Sequence, residues 1–173
     1  WRGRSALDAL ESFHYMVNMM REHVTPAARI HYVVTAGGSA PNVVPDFAES
    51  YIYVRHPDPE ESRRMFDWVT RIAEAAAMGT ETEMEYEVIH GIYNVLPNEA
   101  LARAMFENLN IVGGVEYSAE ERTFAEAIHS TFPPDAPGIE RAGMIEPFEV
   151  IEVGQGGSTD VGDVSWTVPT AGL

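Results

Sequence analysis

The sequence RIHYVVTAGGSAPNVVPDFAESYIYVR, from Arg29 to Arg55, decides how the first half of the chain folds. Its two ends alternate between the two faces of an extended backbone, which predicts β-strands at 29–35 and 47–55. Antiparallel neighbours are usually joined by about two to five residues. Here the connection runs from Gly37 to Asp46, with two prolines that stiffen it and two adjacent glycines that free it. We therefore expect a loop shaped to bind something.

Helical patterns flank these two strands. Apolar residues recur at three- and four-residue steps from Ser5 to Val24, and again from Asp58 to Met78. This spacing predicts two amphipathic helices, because it places the apolar side chains on one face. Asp58 is the expected N-cap of the second helix, and Gly79 its expected C-cap.

The segment 82–90 predicts a third strand, because glutamates alternate there with threonine and apolar residues. Residues 1–92 therefore follow the order α-β-β-α-β, one strand short of the split β-α-β-β-α-β unit. We expect an α/β chain whose first domain is an α+β lid with an incomplete ferredoxin-like antiparallel sheet and two helices. The missing element is the first strand, which lies in the middle of such a sheet. The chain is therefore interpreted as an N-terminally truncated piece of a longer protein.

A second region differs in composition from the first. It contains two predicted helices, one capped by Asn98 and the other by Ser118. A strand is expected at 148–153, followed by a glycine-rich loop. The predicted domains are 1–92 and 93–173, the second being helical and mixed.

The composition of the 173 residues excludes several functions. There is no Cys and no Lys, since all eleven basic residues are Arg. Disulfides, a cysteine nucleophile and a Schiff-base lysine are therefore excluded within this segment. The formal net charge of −16 argues against nucleic acid as a partner, because phosphate contacts need a basic surface. No apolar run reaches the roughly 18 residues of a membrane span, and the lack of Cys fits a reducing compartment, so we expect a cytoplasmic protein without a membrane partner.

His56-Pro57-Asp58 has the spacing of an H-x-D metal motif, yet Asp58 is also the expected helix cap. We favour the cap over the metal ligand, because the other histidines are scattered and none completes a metal-binding pattern.

Three features remain as candidate binding groups. Asn42 is either a turn former or a donor to a substrate carboxylate or oxyanion. Arg55 makes either a surface ion pair or a bidentate contact with a carboxylate. The third feature is the loop of Gly156, Gly157, Ser158, Thr159 and Asp160, which is either an anion-binding nest or a simple turn into a helix.

Several stretches together resemble one enzyme family. They are GRSALDALE, NMMREHV, the sequence quoted above, NVLPNEALA and GGSTDVGDVSWTVPTA. They look like the di-zinc metallopeptidase family that holds aminoacylases, glutamate-releasing carboxypeptidases and succinyl-diaminopimelate desuccinylase. Within it they look like the p-aminobenzoyl-glutamate hydrolase group, in its B-type form. The resemblance covers most of the chain and is most specific in NVVPD and STDVGDVSW.

The resemblance implies that residues 1–92 are most of a lid domain, which in that family also mediates dimerisation, and that 93–173 are part of a catalytic domain. It implies that Asn42 and Arg55, thirteen positions apart, reach the carboxylate and the reaction centre of a substrate. It also implies that the loop from Gly156 to Asp160 lines the substrate pocket.

The family's metal ligands and general base do not occur in this segment, so no catalytic residue and no metal site are expected here. The resemblance implies that the full-length parent binds two divalent metal ions, zinc in this family. The parent would hydrolyse the amide bond of an N-acyl amino acid such as p-aminobenzoyl-glutamate. We expect a homodimer formed through the lid, and a partner subunit. The alternative is a non-catalytic interaction module that dimerises through its unpaired strand edges.

Overall fold

The structure of the chain is a computed structural model that describes residues 1–150 and 157–172. These form two compact units, 1–94 with 157–160 and 95–150 with 161–172. The first unit contains α1 (Ala6–Met20), a 3-10 turn (Arg21–His23), β1 (Arg29–Ala36), β2 (Glu49–Arg55) and α2 (Pro59–Thr80). The second contains α3 (Glu99–Val112), α4 (Ala119–His129), a 3-10 turn (Ile139–Gly143) and α5 (Val161–Ser165). The predicted mixture of helices with antiparallel strands is confirmed.

The predicted pair of strands is present, and it is antiparallel. Its register runs from Arg29 opposite Arg55 to Ala36 opposite Glu49, with an irregularity between Val34 and Ala36. Both strands lie within about two residues of their predicted bounds, which is the usual uncertainty of strand ends. The long connection between them is therefore confirmed.

One face of this hairpin is covered by α1 and α2. Ile30 of β1 is buried, and Ile52 and Val54 of β2 pack against the same cluster. The helices contribute the remaining buried side chains of the cluster, which are Phe13, Val17, Met20, Met65, Val69, Ile72 and Ala76. The apolar stripes seen in the sequence thus meet in one core, and removal of this surface from water is its main stabilisation.

The two ends of α2 differ in how well they were predicted. Asp58 caps the start as expected, because its carboxylate accepts a hydrogen bond from the Glu60 N–H at 2.8 Å. The predicted C-cap at Gly79 is wrong: the helix continues past it and is capped by Glu81, whose φ of 54° is left-handed. Arg4 holds Glu81 there, donating from Nε to its carboxylate at 2.6 Å. This ion pair helps to offset the conformational cost of a left-handed cap residue that is not glycine.

The third strand predicted at 82–90 is wrong, because the structure has no strand there. The segment runs beside α2 instead. Tyr86 meets Phe66 edge to face at 6.1 Å between ring centroids, and the Arg63 guanidinium donates to the Tyr93 hydroxyl at 2.5 Å. In a ferredoxin-like order this strand pairs only with the first strand, and no such neighbour occurs among the described residues. Without a neighbour, its backbone has no ladder to join.

In the second unit the helix caps are confirmed. Asn98 accepts a hydrogen bond from the Leu101 N–H at 3.0 Å, and Ser118 forms a capping box with Glu121. Neither α3 nor α4 contains a buried residue, however, and Phe124 is 69% exposed. No helix in the described ranges is long and apolar enough to cross a membrane. The local signals of this unit therefore specify helices without enclosing a core around them.

The strand predicted at 148–153 is not observed where the structure describes it. Residues 148–150 are not in a strand, and 151–153 lie outside the described residues. The Phe148 ring contacts α3 instead, 5.6 Å from the Phe106 ring and with the Arg103 guanidinium 4.5 Å from its centroid.

Met65 offers a test of the core, because it is 1% exposed in α2. We expect Met65→Ala to lower the free energy of unfolding by about 2–5 kcal/mol, since it removes buried methylenes and leaves a cavity. Met78→Ala in the same helix is the matched control, because Met78 is 76% exposed. Urea unfolding measures both, and equal losses for the two variants would contradict this assignment of the core.

His14 is a buried titratable side chain between α1 and the hairpin. It is 8% exposed, its ring stacks on Tyr32 at 3.8 Å, and its Nε2 shares a hydrogen bond with the Ser50 hydroxyl at 2.9 Å. Burial, and after it the charge of Arg21, lower the pKa of His14 below its ordinary value, against an opposite effect of Glu11. The folded unit therefore favours the neutral imidazole.

This lowered pKa predicts a loss of stability in acid. In the unfolded chain His14 takes up a proton near pH 6.5, whereas in the folded unit it does so only at lower pH. The contribution of neutral His14 to the free energy of unfolding is therefore fully present above pH 6.5 and is lost as the pH falls below that value. We expect His14→Gln to remove this part of the pH dependence in urea unfolding, whereas His31→Gln on the exposed strand face should keep it. The same pH dependence in wild type and His14→Gln would contradict the prediction.

Candidate functional site

The long loop folds back onto the start of α1. The Ala6 N–H donates to the Pro45 carbonyl at 2.9 Å, and the Ser5 hydroxyl accepts from the Asp8 N–H at 3.1 Å. Loop and helix start enclose an open cavity of about 660 Å³. The residues that line it are Ser5, Leu7, Asp8 and 37–45. The loop thus forms one wall of a cleft that is large enough for a small molecule.

Asn42 lies in this wall with an exposed side chain. It does not serve as a left-handed turn residue, because among the described non-glycine residues only Glu81 has a positive φ; in this loop the positive φ, 104°, belongs to Gly38. A Cβ on Gly38 would lie 2.9 Å from Cγ of Pro45, so a larger residue does not fit there. Within the described part of the chain, the Asn42 carboxamide has no hydrogen-bond partner. Its N–H groups are therefore available to a ligand.

Arg55 is the last residue of β2, on the hairpin face that points away from the helices. Tyr51 and Tyr53 share this face, with their rings 5.1 Å apart and edge to face. A side-chain hydrogen bond with Tyr53 raises the pKa of Tyr51, so this phenol stays neutral. The half-buried Arg55 guanidinium makes no ion pair or hydrogen bond with any residue that the structure describes. It is therefore free to bind an anion.

The structure does not bring Asn42 and Arg55 together within one copy of the chain. The loop leaves the hairpin at the pair Ala36–Glu49, whereas Arg55 lies at the opposite end. Six residue steps along β2 correspond to about 20 Å, which is longer than an arginine side chain. The cavity that contains Asn42 is not lined by Arg55. One small carboxylate cannot contact both side chains of the same copy.

The glycine-rich loop is only partly described. Gly156 lies outside the described residues, while Gly157, Ser158, Thr159 and Asp160 are exposed and lead directly into α5. Thr159 donates to the Asp160 carboxylate at 3.5 Å. These four residues do not line the cavity beside Asn42, so their role in a substrate pocket stays a prediction.

The His56-Pro57-Asp58 stretch has structural roles. His56 Nδ1 accepts a hydrogen bond from the Asp58 N–H at 3.0 Å, its Nε2 bonds the Thr25 hydroxyl at 2.8 Å, and the Asp58 carboxylate caps α2. Over residues 1–150 and 157–172 no group of three or more His, Cys, Asp or Glu residues is placed to hold a metal ion. The described residues therefore do not form a two-metal centre by themselves.

Arg29 is a residue that the sequence patterns alone did not single out. It stands directly opposite Arg55 in the register, and side chains of such a pair project from the same face of the sheet. The signal was present in the sequence, because both arginines lie on the outward face of the alternating pattern and close the same end of the hairpin.

No family model matches the chain. Among characterised proteins, the B-type subunit of p-aminobenzoyl-glutamate hydrolase from Escherichia coli (strain K12) is 35% identical over 98% of the chain and 40% of its own length. Xaa-Arg dipeptidases of Mus musculus and Homo sapiens are 28% and 29% identical, each over 98% of the chain. These alignments cover 33% and 32% of the two dipeptidases, so the chain spans well under half the length of all three relatives.

The expected family resemblance is confirmed by these similarities, which run through both compact units. The chain belongs to the family of peptidases and amidohydrolases that contains this p-aminobenzoyl-glutamate hydrolase and the Xaa-Arg dipeptidases.

Proposed function

We propose that this chain supplies substrate recognition and dimerisation to a metal-dependent amidohydrolase that cleaves the amide bond of an N-acyl amino acid. The names of the relatives support this class, since one is a hydrolase of p-aminobenzoyl-glutamate and the others are dipeptidases. The structural observation that carries the proposal is the pair of unengaged polar groups on the first unit, the Asn42 carboxamide and the Arg55 guanidinium. In this proposal, residues 1–92 are the lid and 93–173 are part of the catalytic domain.

Each group has a chemistry suited to such a substrate. Arg55 offers parallel N–H donors that match the two oxygens of a carboxylate. Asn42 offers amide donors to a carboxylate or to the oxyanion that forms when an amide carbonyl is attacked. The loop from Gly156 to Asp160 lines the pocket in this proposal. The two divalent metal ions, zinc by the family resemblance, would be bound outside the described residues of this chain.

The distance between the two groups supports a homodimer as the working unit. Because Asn42 and Arg55 lie at opposite ends of the hairpin, a shared ligand requires Asn42 from one copy and Arg55 from another. Among the described residues β1 pairs only with β2, so the other edge of β1 is open to a second strand. A twofold dimer formed there has two equivalent sites. A different partner chain is also proposed, since the bacterial relative is named as one subunit of its hydrolase.

The role of Arg55 is tested in the full-length protein that carries this chain. We expect Arg55→Ala to raise KM for an N-acyl amino acid by about 30-fold or more, because truncating one side of a charged contact costs about 2 kcal/mol or more. Arg71→Ala, at an exposed position of α2, is the matched control and should leave KM unchanged. An unchanged KM in Arg55→Ala would remove this residue from the site.

Mixed dimers test whether two copies share one site. Asn42→Ala and Arg55→Ala are each expected to lose most activity when expressed alone. In mixtures, half of the dimers combine the two variants and contain one intact site, so activity should recover to about a quarter of wild type. The absence of any recovery, with mixed dimers demonstrated by differently tagged chains, would show that both residues act within one copy.

A further inference from the structure

Two arginines face each other across the open end of the hairpin. Arg29 and Arg55 are direct cross-strand partners. Like charges in this position destabilise a sheet, and a chain with 27 acidic residues has ample means to neutralise them. Within residues 1–150 and 157–172, five other arginines form ion pairs, namely Arg4, Arg64, Arg103, Arg122 and Arg141. Arg29 and Arg55 have no carboxylate partner in the described ranges, so their positive charges stay uncompensated.

The Arg29 guanidinium is held in place by the backbone. Its Nη1 donates to the Pro26 carbonyl at 2.6 Å and to the Ala28 carbonyl at 2.7 Å. These bonds use one nitrogen and leave Nε and Nη2 without a hydrogen bond to any described residue. A cation fixed in this way loses little side-chain entropy when it binds an anion.

The acidic residues of the hairpin and of its C-terminal end either lie far from the two arginines or accept other hydrogen bonds. The strand β1 contains no acidic residue, and the acidic residue of β2, Glu49, lies at the far end and accepts a hydrogen bond from Thr35 at 2.5 Å. Asp58, three positions after Arg55, accepts the Glu60 N–H as the cap of α2. A ligand at this end of the hairpin therefore meets two positive charges and no free carboxylate from the strands.

We propose that Arg29 determines specificity, and that Arg29 and Arg55 together select an N-acyl amino acid with two carboxylates, such as an N-acyl glutamate. One carboxylate binds Arg55 and the other binds the free donors of Arg29. A substrate with a basic side chain is disfavoured, because it would place a third positive charge beside the pair. This inference rests on the proposed function and narrows its substrate class.

The test compares N-benzoyl-glutamate with N-benzoyl-glutamine, which has nearly the same shape and one carboxylate fewer. In the full-length protein, Arg29→Gln should lower the ratio of kcat/KM for the glutamate over the glutamine substrate by about tenfold or more, as expected for loss of a charge-assisted hydrogen bond. Arg71→Gln makes the same charge change on α2 and should keep the ratio. Arg29→Lys retains the charge and should keep part of the preference. An unchanged ratio in Arg29→Gln would overturn the proposal.

A binding experiment separates this inference from the proposed hydrolase function. If neither benzoyl substrate is cleaved, the proposed function fails, and the pair is then tested by calorimetry with glutarate and butyrate. Tighter binding of glutarate by about tenfold, lost in Arg29→Gln but not in Arg71→Gln, supports a site for two carboxylates. Equal binding of glutarate and butyrate by the wild-type protein overturns it. If Arg29→Gln does not fold in a thermal melt, Arg29→Ala with Arg29→Lys is compared in the same way.

Discussion

The antiparallel register between β1 and β2 determines where Arg29, Arg55 and the loop that contains Asn42 lie. It places the long loop at one end of the hairpin and the two facing arginines at the other. It also assigns Ile30 to the buried face and Arg55 to the open one. A slip of one residue would exchange these faces, burying a guanidinium and exposing an isoleucine, so burial of the apolar core enforces the register. The stability of the first unit and its proposed recognition surface are therefore two consequences of one pairing.

Much of the first unit was predictable because its signals are local. The apolar stripes of α1 and α2 and the cap at Asp58 specify helices without any knowledge of distant residues. Alternation at 82–90 was misleading for the opposite reason. Alternation indicates which face of an extended segment can be exposed to solvent. A strand also needs a neighbouring strand whose backbone N–H and C=O groups pair with its own. The predicted cap at Gly79 was wrong for a similar reason, since the Arg4–Glu81 contact at the observed cap joins residues far apart in sequence.

The candidate site was predictable residue by residue, but its arrangement was not. The length of the loop indicates Asn42 as a candidate, and the alternating strand pattern indicates Arg55. Neither side chain has a hydrogen bond or ion pair with a described residue. The family resemblance implied that the two side chains reach one substrate. The hairpin separates them, because β2 advances about 3.3 Å per residue over the six steps from Glu49, where the loop ends, to Arg55. Arg29 belongs to no local motif, and only the pairing of the two predicted strands indicates that it lies near Arg55.

The net charge of −16 gives the arginine pair a particular task. At long range the net charge of this segment would repel the proposed dicarboxylate substrate, so it does not favour electrostatic steering to the proposed site. This repulsion acts between exposed charges and is screened beyond about 8–10 Å at physiological salt. The contacts of a bound carboxylate with Arg55, which is half-buried, are screened much less. Added salt should therefore speed association by weakening the repulsion, while the short-range contacts that hold the ligand persist. At the proposed site, specificity would therefore come from a few fixed donors, because the net charge of the segment opposes the ligand that they bind.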